Sequence, residues 1–258
     1  MSNSSLPPVL LLTGTNAAAW AMENVRTSLE AAGYVCHSLT YRYHDLPPGP
    51  ERDAKLTGLS IADYVEDARQ AIDEIGEPPV VVGHSIGGLI AQLLAAEDAI
   101  KAGVLLNSSI VNGTLPTTEE ERDLGKLLIS AGAFWERALE QDFELLAKYG
   151  FNTLSPQMQR DIHGRLGSES GRVLFEFFFW MYDVHRTTFV DPDKVTCPLL
   201  FISGNEDKAV PPSTARVMAE RYETAEFLAV GGACHYIQFD EQWPETAAKM
   251  LDWLSRNL

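Results

Sequence analysis

The sequence predicts an α/β protein built on a mostly parallel, twisted sheet with helices on both faces and a helical insertion. Three observations carry that expectation. Short apolar runs such as PVLLLTG, PPVVVG and PLLFISG are continuous rather than alternating, as strands covered on both faces must be. Amphipathic helical stretches separate these runs. From about Ile110 to Phe189 the alternation stops and a helical pattern takes over, for a span too long to be a plain loop.

The elements follow in order. PVLLLTG reads as a first strand and AMENVRTSLEAAG as an amphipathic helix closed by Gly33. YVCHSL is a second strand. SIADYVEDARQAIDEIG is a helix with Ser60 as N-cap and Gly76 as C-cap. PPVVVG, the segment Ile86 to Glu97 and AGVLLNS supply a strand, a helix and a strand. Next come two long helical stretches, EEERDLGKLLISAGAFWERALEQDFELLAKYG and GRVLFEFFFWMYDVH, with no strand expected between them. Alternation then returns with PLLFISG, PSTARVMAERY, AEFLAVGG and WPETAAKMLDWLSRNL. The expected division is a core of residues 1–109 and 190–258 and a helical cap of residues 110–189.

Composition narrows the function. Hydrophobic residues at 45% and charged residues at 22% are ordinary for a globular chain of 258 residues. The balance of 36 acidic against 20 basic residues gives a net charge of −16, which repels phosphate backbones and anionic lipid surfaces. A small-molecule substrate is therefore expected, with no nucleic-acid or membrane partner; the oligomeric state is not encoded legibly. MSNSSLPPVLLLTG has no basic leader and too short an apolar run for a signal core, so a cytoplasmic location is expected. Cys36, Cys197 and Cys234 have no metal or redox spacing, which implies free thiols and neither metal nor cofactor.

The chemistry starts at VVVGHSIGGLIAQLL. Gly83, Ser85 and Gly87 make a G-x-S-x-G spacing at a strand-to-helix junction, where a strained turn lifts the serine hydroxyl above the sheet. Side chains at either flanking position would meet the neighbouring strand and helix, so glycine is required there. A serine hydroxyl is a weak nucleophile at neutral pH and needs a base, itself oriented by an acid. Of six histidines, His235 lies just beyond the last strand, at the sheet edge where ligand chemistry belongs. His37 falls inside a strand, His84 points away from the serine, and His163 and His185 fall in the insertion. GNEDKAVP ends another strand, and Asp207 is the better acid because Glu206 faces another direction. The alternative place for the acid, after AGVLL, holds Asn107, Ser108 and Ser109. Ser85, Asp207 and His235, from three strand ends, form the expected catalytic triad.

Through GHSIGG, GNEDKAVP and GGACHYIQFDEQWPE the chain resembles the α/β-hydrolase superfamily over essentially its whole length. It is similar to the small branch lacking an N-terminal hairpin, which includes plant-type methyl esterases, hydroxynitrile lyases and many bacterial hydrolases. The resemblance implies that Ser85 attacks, His235 relays the proton and Asp207 holds the imidazole. Two backbone N–H donors, Ile86 and Thr15, are expected to receive the oxyanion. Thr13-Gly14 stands where the family usually has His-Gly, whose histidine supports this loop from behind, and Cys234 stands where glycine is usual.

Ser85 disfavours the dehalogenases and epoxide hydrolases of this superfamily, which use aspartate. Gly14 and Tyr236 disfavour the lyases, which carry threonine and lysine there. Hydrolysis of a small to mid-sized, largely apolar carboxylic ester through an acyl-enzyme is the first expectation. Carbon–carbon bond hydrolysis, perhydrolysis and ligand reception on the same scaffold are the alternatives. The pocket is expected between sheet and insertion, lined by Phe178, Trp180, Tyr182 and His185 from the aromatic stretch, with Trp20 and the YRYHD segment at its mouth or in solvent. Most of the aromatic stretch is expected to pack the insertion onto the core.

Overall fold

The computed structural model describes residues 6–258; the first five residues of the leader reading lie outside the described residues. The chain forms β1 (Val9–Leu12), α1 (Glu23–Ala31), β2 (Cys36–Leu39), α2 (Pro50–Leu56), α3 (Ile61–Ile75), β3 (Val80–His84), α4 (Ile86–Ala95) and β4 (Ala102–Leu106). Beyond β4 it adds α5 (Glu119–Ser130), β5 (Ala138–Leu139), α6 (Phe143–Tyr149), α7 (Pro156–His163), β6 (Glu169–Ser170) and α8 (Gly171–Phe178). It closes with β7 (Leu199–Gly204), α9 (Pro212–Ala219), β8 (Ala225–Val230) and α10 (Trp243–Asn257).

Six strands pair in parallel in the order β2-β1-β3-β4-β7-β8. Their side chains alternate between two apolar clusters. Leu10, Leu12, Val81 and Leu105 pack with α3, α4 and α9 on one face. Val9, Leu11, Val82 and Val104 pack with Val25 and Leu29 of α1 and Trp253 and Leu254 of α10 on the other. The continuous apolar runs thus follow from burial on both faces, and each strand serves two cores with period 2. The chain order reverses between β1 and β3. That leaves a crevice at their carboxyl ends, which is where the site lies.

Local signals hold where they have a stereochemical cause. The Ser60 hydroxyl accepts from the Ala62 N–H and Asp63 reaches back to the Ser60 N–H, closing a capping box on α3; Gly76 ends it at φ +85°. Between β4 and β7 the structure corrects the all-helical expectation. The stretch read as one helix from Glu119 breaks after Ser130, where Gly132 turns the chain at φ +75°. Ala138 and Leu139 then pair antiparallel with Ser170 and Glu169. Two-residue strands are too short to print a period in the sequence. For the same reason α2, only seven residues long, prints no helical period, although Pro50 at its first position suits a helix start.

The three cysteines are unpaired. Among the described residues no helix is long and apolar enough to cross a membrane, and no cluster of metal-ligating side chains is present.

Candidate active site

Ser85 sits between β3 and α4 at φ +52° and ψ −116°, a sparsely populated conformation for a residue with a side chain. The flanking glycines make this turn possible through close approach. A Cβ on Gly83 would collide with the Gly87 carbonyl, and one on Gly87 with the Leu12 carbonyl of the neighbouring strand. The Ser85 N–H donates to the Leu106 carbonyl, and the Ser109 N–H donates back to the Ser85 carbonyl, tying the turn to the end of β4.

The structure brings Ser85, Asp207 and His235 together. His235 Nε2 lies 3.1 Å from Ser85 Oγ, and His235 Nδ1 lies 2.8 Å from Asp207 Oδ2. Asp207 is 3% exposed, and its other oxygen accepts the N–H groups of Ala209 and Val210 at 2.8 and 2.9 Å. Such a fully engaged carboxylate is held in one orientation. Glu206 next to it is exposed. The carboxylate fixes the imidazole with its proton on Nδ1, leaving Nε2 free to accept from the serine hydroxyl. A second hydroxyl, Ser109 Oγ, lies 3.2 Å from Ser85 Oγ.

Ile86 begins α4, so its N–H is one of the donors that a helix N-terminus leaves unpaired. Thr15 follows Gly14 in the loop after β1, and a Cβ on Gly14 would fall within 2.9 Å of His84 and 3.3 Å of Ser85. The loop therefore passes directly over the serine. Thr15 lines the cavity into which Ser85 opens, Ile86 directly follows Ser85, and among the described residues neither N–H is taken up by a hydrogen bond.

Two residues missed in the sequence organise the histidine loop. Asn107, at φ +44° after β4, donates from Nδ2 to the carbonyls of Cys234 and His235, and its Oδ1 accepts the Gly204 N–H at 2.8 Å. One side chain thus couples the ends of three strands. His84 Nε2 donates to the His235 carbonyl at 2.8 Å. Burial, reinforced by neighbouring His235, brings the His84 pKa down to about 3, so its ring is a neutral strut. Asn at a strand end next to two serines was the available signal for Asn107; nothing in the sequence marks His84. Cys234 is fully buried and burial pushes its thiol up to about 12. His37 is exposed on edge strand β2.

The site opens into an apolar cavity of about 640 Å³. Ser85, Ser109 and His235 form its floor. Leu124 and Leu128 of α5, Leu145 and Leu146 of α6, and Leu174, Phe177 and Phe178 of α8 form its walls. Charged side chains, among them Arg122, Lys126 and Asp142, also border it. Phe178 and Tyr182, both expected here, do line it. Trp20, Trp180 and His185 do not, which corrects three expectations. Trp20 packs on Phe239 and under the Arg165 guanidinium. Trp180 turns its N–H to the Thr114 carbonyl and packs against the core. His185 is exposed in a turn closed by Asp183. Aromatic content suggested Trp180 as a wall residue, but α8 ends at Phe178 and the chain changes direction before Trp180 and His185. The YRYHD segment is not at the mouth either: Tyr41 stacks on Tyr64 at 4.7 Å and His44 is buried, while Tyr43 is exposed under Lys55.

The chain belongs to the alpha/beta hydrolase family, whose model matches residues 9–249. No curated protein matches it in sequence. The fold is shared with a monoacylglycerol lipase of Paleococcus ferrophilus, 22% identical over 98% of this chain and 97% of that one, at a TM-score of 0.71. It is shared with tomato methylketone synthase I, solved with 2-tridecanone, at 13% identity, 98% and 99% coverage and a TM-score of 0.75. A thermophilic esterase of Thermogutta terrifontis is 17% identical over 97% and 90%, at a TM-score of 0.66.

Proposed function

We propose that this protein is a serine hydrolase that cleaves a neutral, largely apolar carboxylic ester through an acyl-enzyme. One observation carries the reading: the imidazole of His235 stands between Ser85 Oγ and Asp207, within hydrogen-bond reach of both. Ser85 attacks the ester carbonyl while His235 Nε2 takes its proton, and Asp207 steadies the imidazolium that forms. The carbonyl oxygen becomes the oxyanion and receives the N–H groups of Ile86 and Thr15. His235 returns the proton to the departing alkoxide, and the alcohol leaves. A water molecule, deprotonated by His235, then releases the acid and restores Ser85. The partner is the small-molecule substrate alone, and no cofactor enters any step.

The apolar walls select for hydrocarbon, and the cavity volume has room for a mid-sized chain. In this reading residues 110–189 are a cap over a core of residues 1–109 and 190–258. Lipase and esterase are the names of two proteins that share the fold, which agrees with ester cleavage.

A fluorophosphonate probe tests the nucleophile, and p-nitrophenyl esters of graded chain length test the reaction. The reading expects one adduct on Ser85 in the folded protein and none when the protein is unfolded before the probe is added, with turnover that peaks at a mid-length acyl chain. A folded protein that takes no adduct and cleaves no ester in the series is not this enzyme.

A further inference from the structure

Behind the loop that carries Thr15, the hydrogen bonds converge on one carboxylate. Glu169, on β6, is 1% exposed. Its Oε2 accepts the backbone N–H of Asn16 at 3.0 Å and lies 3.2 Å from His44 Nε2. Its Oε1 accepts the Tyr64 hydroxyl at 2.5 Å and the Ser170 N–H at 2.7 Å. Burial works against charge on Glu169, but His44 and these donors together hold its pKa below the usual carboxylate value. Burial likewise works against charge on His44, yet Glu169 raises it on balance. Each shift favours the charged form of its group in a contact sealed inside the protein, with Arg52 close by and bonded to the Ser168 carbonyl.

Removing a carboxylate from water is costly, so Glu169 needs a reason to be buried at this spot. Its geometry supplies one. Asn16 directly follows Thr15 and holds a left-handed φ of +64°. Every polar group of Asn16 is bound by residues between 139 and 169. The N–H goes to Glu169; the carbonyl accepts the Gly167 N–H at 2.9 Å; Nδ2 donates to the Gly167 carbonyl at 2.7 Å and the Leu139 carbonyl at 3.4 Å; Oδ1 accepts from Gln141 at 2.5 Å. Thr13, by contrast, does not brace the loop through its side chain: among the described residues its buried hydroxyl has no partner. The support that residue 13 fails to give comes instead from the strand pair β5–β6.

We infer that Glu169 is a positioning residue, which through Asn16 fixes the Thr15 N–H at the place where the oxyanion develops. The inference rests on the hydrolase reading above. It couples the segment between β4 and β7 to the chemical step itself, beyond forming cavity walls. A donor held by a charged acceptor on the next peptide cannot swing away when the carbonyl oxygen gains charge, so the hole needs no reorganisation during reaction.

The test compares wild type with Glu169→Gln, which keeps shape and loses charge. Three quantities are read: kcat and KM for a p-nitrophenyl ester, affinity for an alkylboronic acid, and affinity for a matching alkyl ketone. The boronic acid forms a tetrahedral adduct on Ser85 and so reports the oxyanion hole, whereas the ketone reports the apolar walls. Expected are a fall in kcat of about 10- to 100-fold and a parallel loss of boronate affinity, with KM and ketone affinity held within about threefold. A folded Glu169→Gln protein with wild-type kcat and boronate affinity overturns the inference, as does a loss confined to KM and ketone binding. Should that variant not fold, Glu169→Asp keeps the charge but shortens its reach to the Asn16 N–H. The same split at smaller size supports the inference, and wild-type values overturn it. A wild-type protein that gives no Ser85 adduct and no turnover removes the hydrolase reading, which is separable from a failure seen only in the variants.

Discussion

Asn107 Nδ2 donates to the main-chain carbonyl of His235 at 2.8 Å, so the position of the imidazole is set by a side chain two strands away in the sheet. The same amide group holds the Cys234 carbonyl at 2.9 Å, and its oxygen takes the Gly204 N–H just ahead of Asp207. One residue thereby locates both the histidine and the carboxylate that orients it.

Asn107→Ala removes three buried hydrogen bonds and leaves their partners unsatisfied. The expected cost is about 2–4 kcal/mol of stability, with kcat/KM for an ester reduced about 10- to 100-fold. Urea denaturation and steady-state kinetics on the same preparation check both. A variant less stable by that amount yet fully active would show that the loop is held by other contacts.

Ser85→Ala and His235→Ala are each expected to lower kcat by about 10⁴-fold or more, and the double variant little further, because the groups act as a unit. Additive losses in the double variant would mean that the two residues serve separate steps.

His84 makes a pH prediction whose sign can be worked out. Its ordinary value of 6.5 falls to about 3 in the folded protein, since the charged ring would be fully buried beside His235; among the described residues Nδ1 also has no hydrogen-bond partner. Below pH 6.5 the unfolded chain binds a proton that the folded chain refuses. Stability is therefore unaffected by this group above that pH, declines as pH falls, and stops declining near 3. The total is on the order of a few kcal/mol. Denaturation midpoints across this range should fall more steeply for wild type than for His84→Asn; parallel curves would assign the acid limb to other groups.

Leu128 of α5 lines the cavity and is half-buried, so Leu128→Trp can swing into the empty volume. Activity on an acetyl ester should stay near wild type while activity on the longest accepted chain drops about tenfold. An equal effect on all chain lengths would place the acyl chain elsewhere.

The thiol of Cys234, which burial pushes up to about 12, should resist alkylation at pH 8 in the folded protein and react on unfolding. Mass spectrometry after brief iodoacetamide exposure reads this directly.

Much of this molecule was legible in one dimension, for identifiable reasons. The parallel sheet follows from runs such as VVV before Gly83, because strands covered on both faces must be apolar at every position. The caps at Ser60 and Gly76 follow from local stereochemistry. Ser85 is announced by glycines that its turn demands within two residues, and Asp207 and His235 by their places at strand ends. Each of these signals is local or periodic, so the chain carries it without folding.

What only the folded structure decided are contacts between residues 100 or more apart that leave no pattern. The Glu169–Asn16 bond spans 153 positions and the Asn107–His235 bond 128. Trp20, Trp180 and His185 left the cavity because side-chain direction depends on where α8 stops and where the loop after β1 packs. A buried carboxylate finds its partners by the burial itself: outside the fold Glu169 is one acidic residue among 36, solvated and indistinguishable.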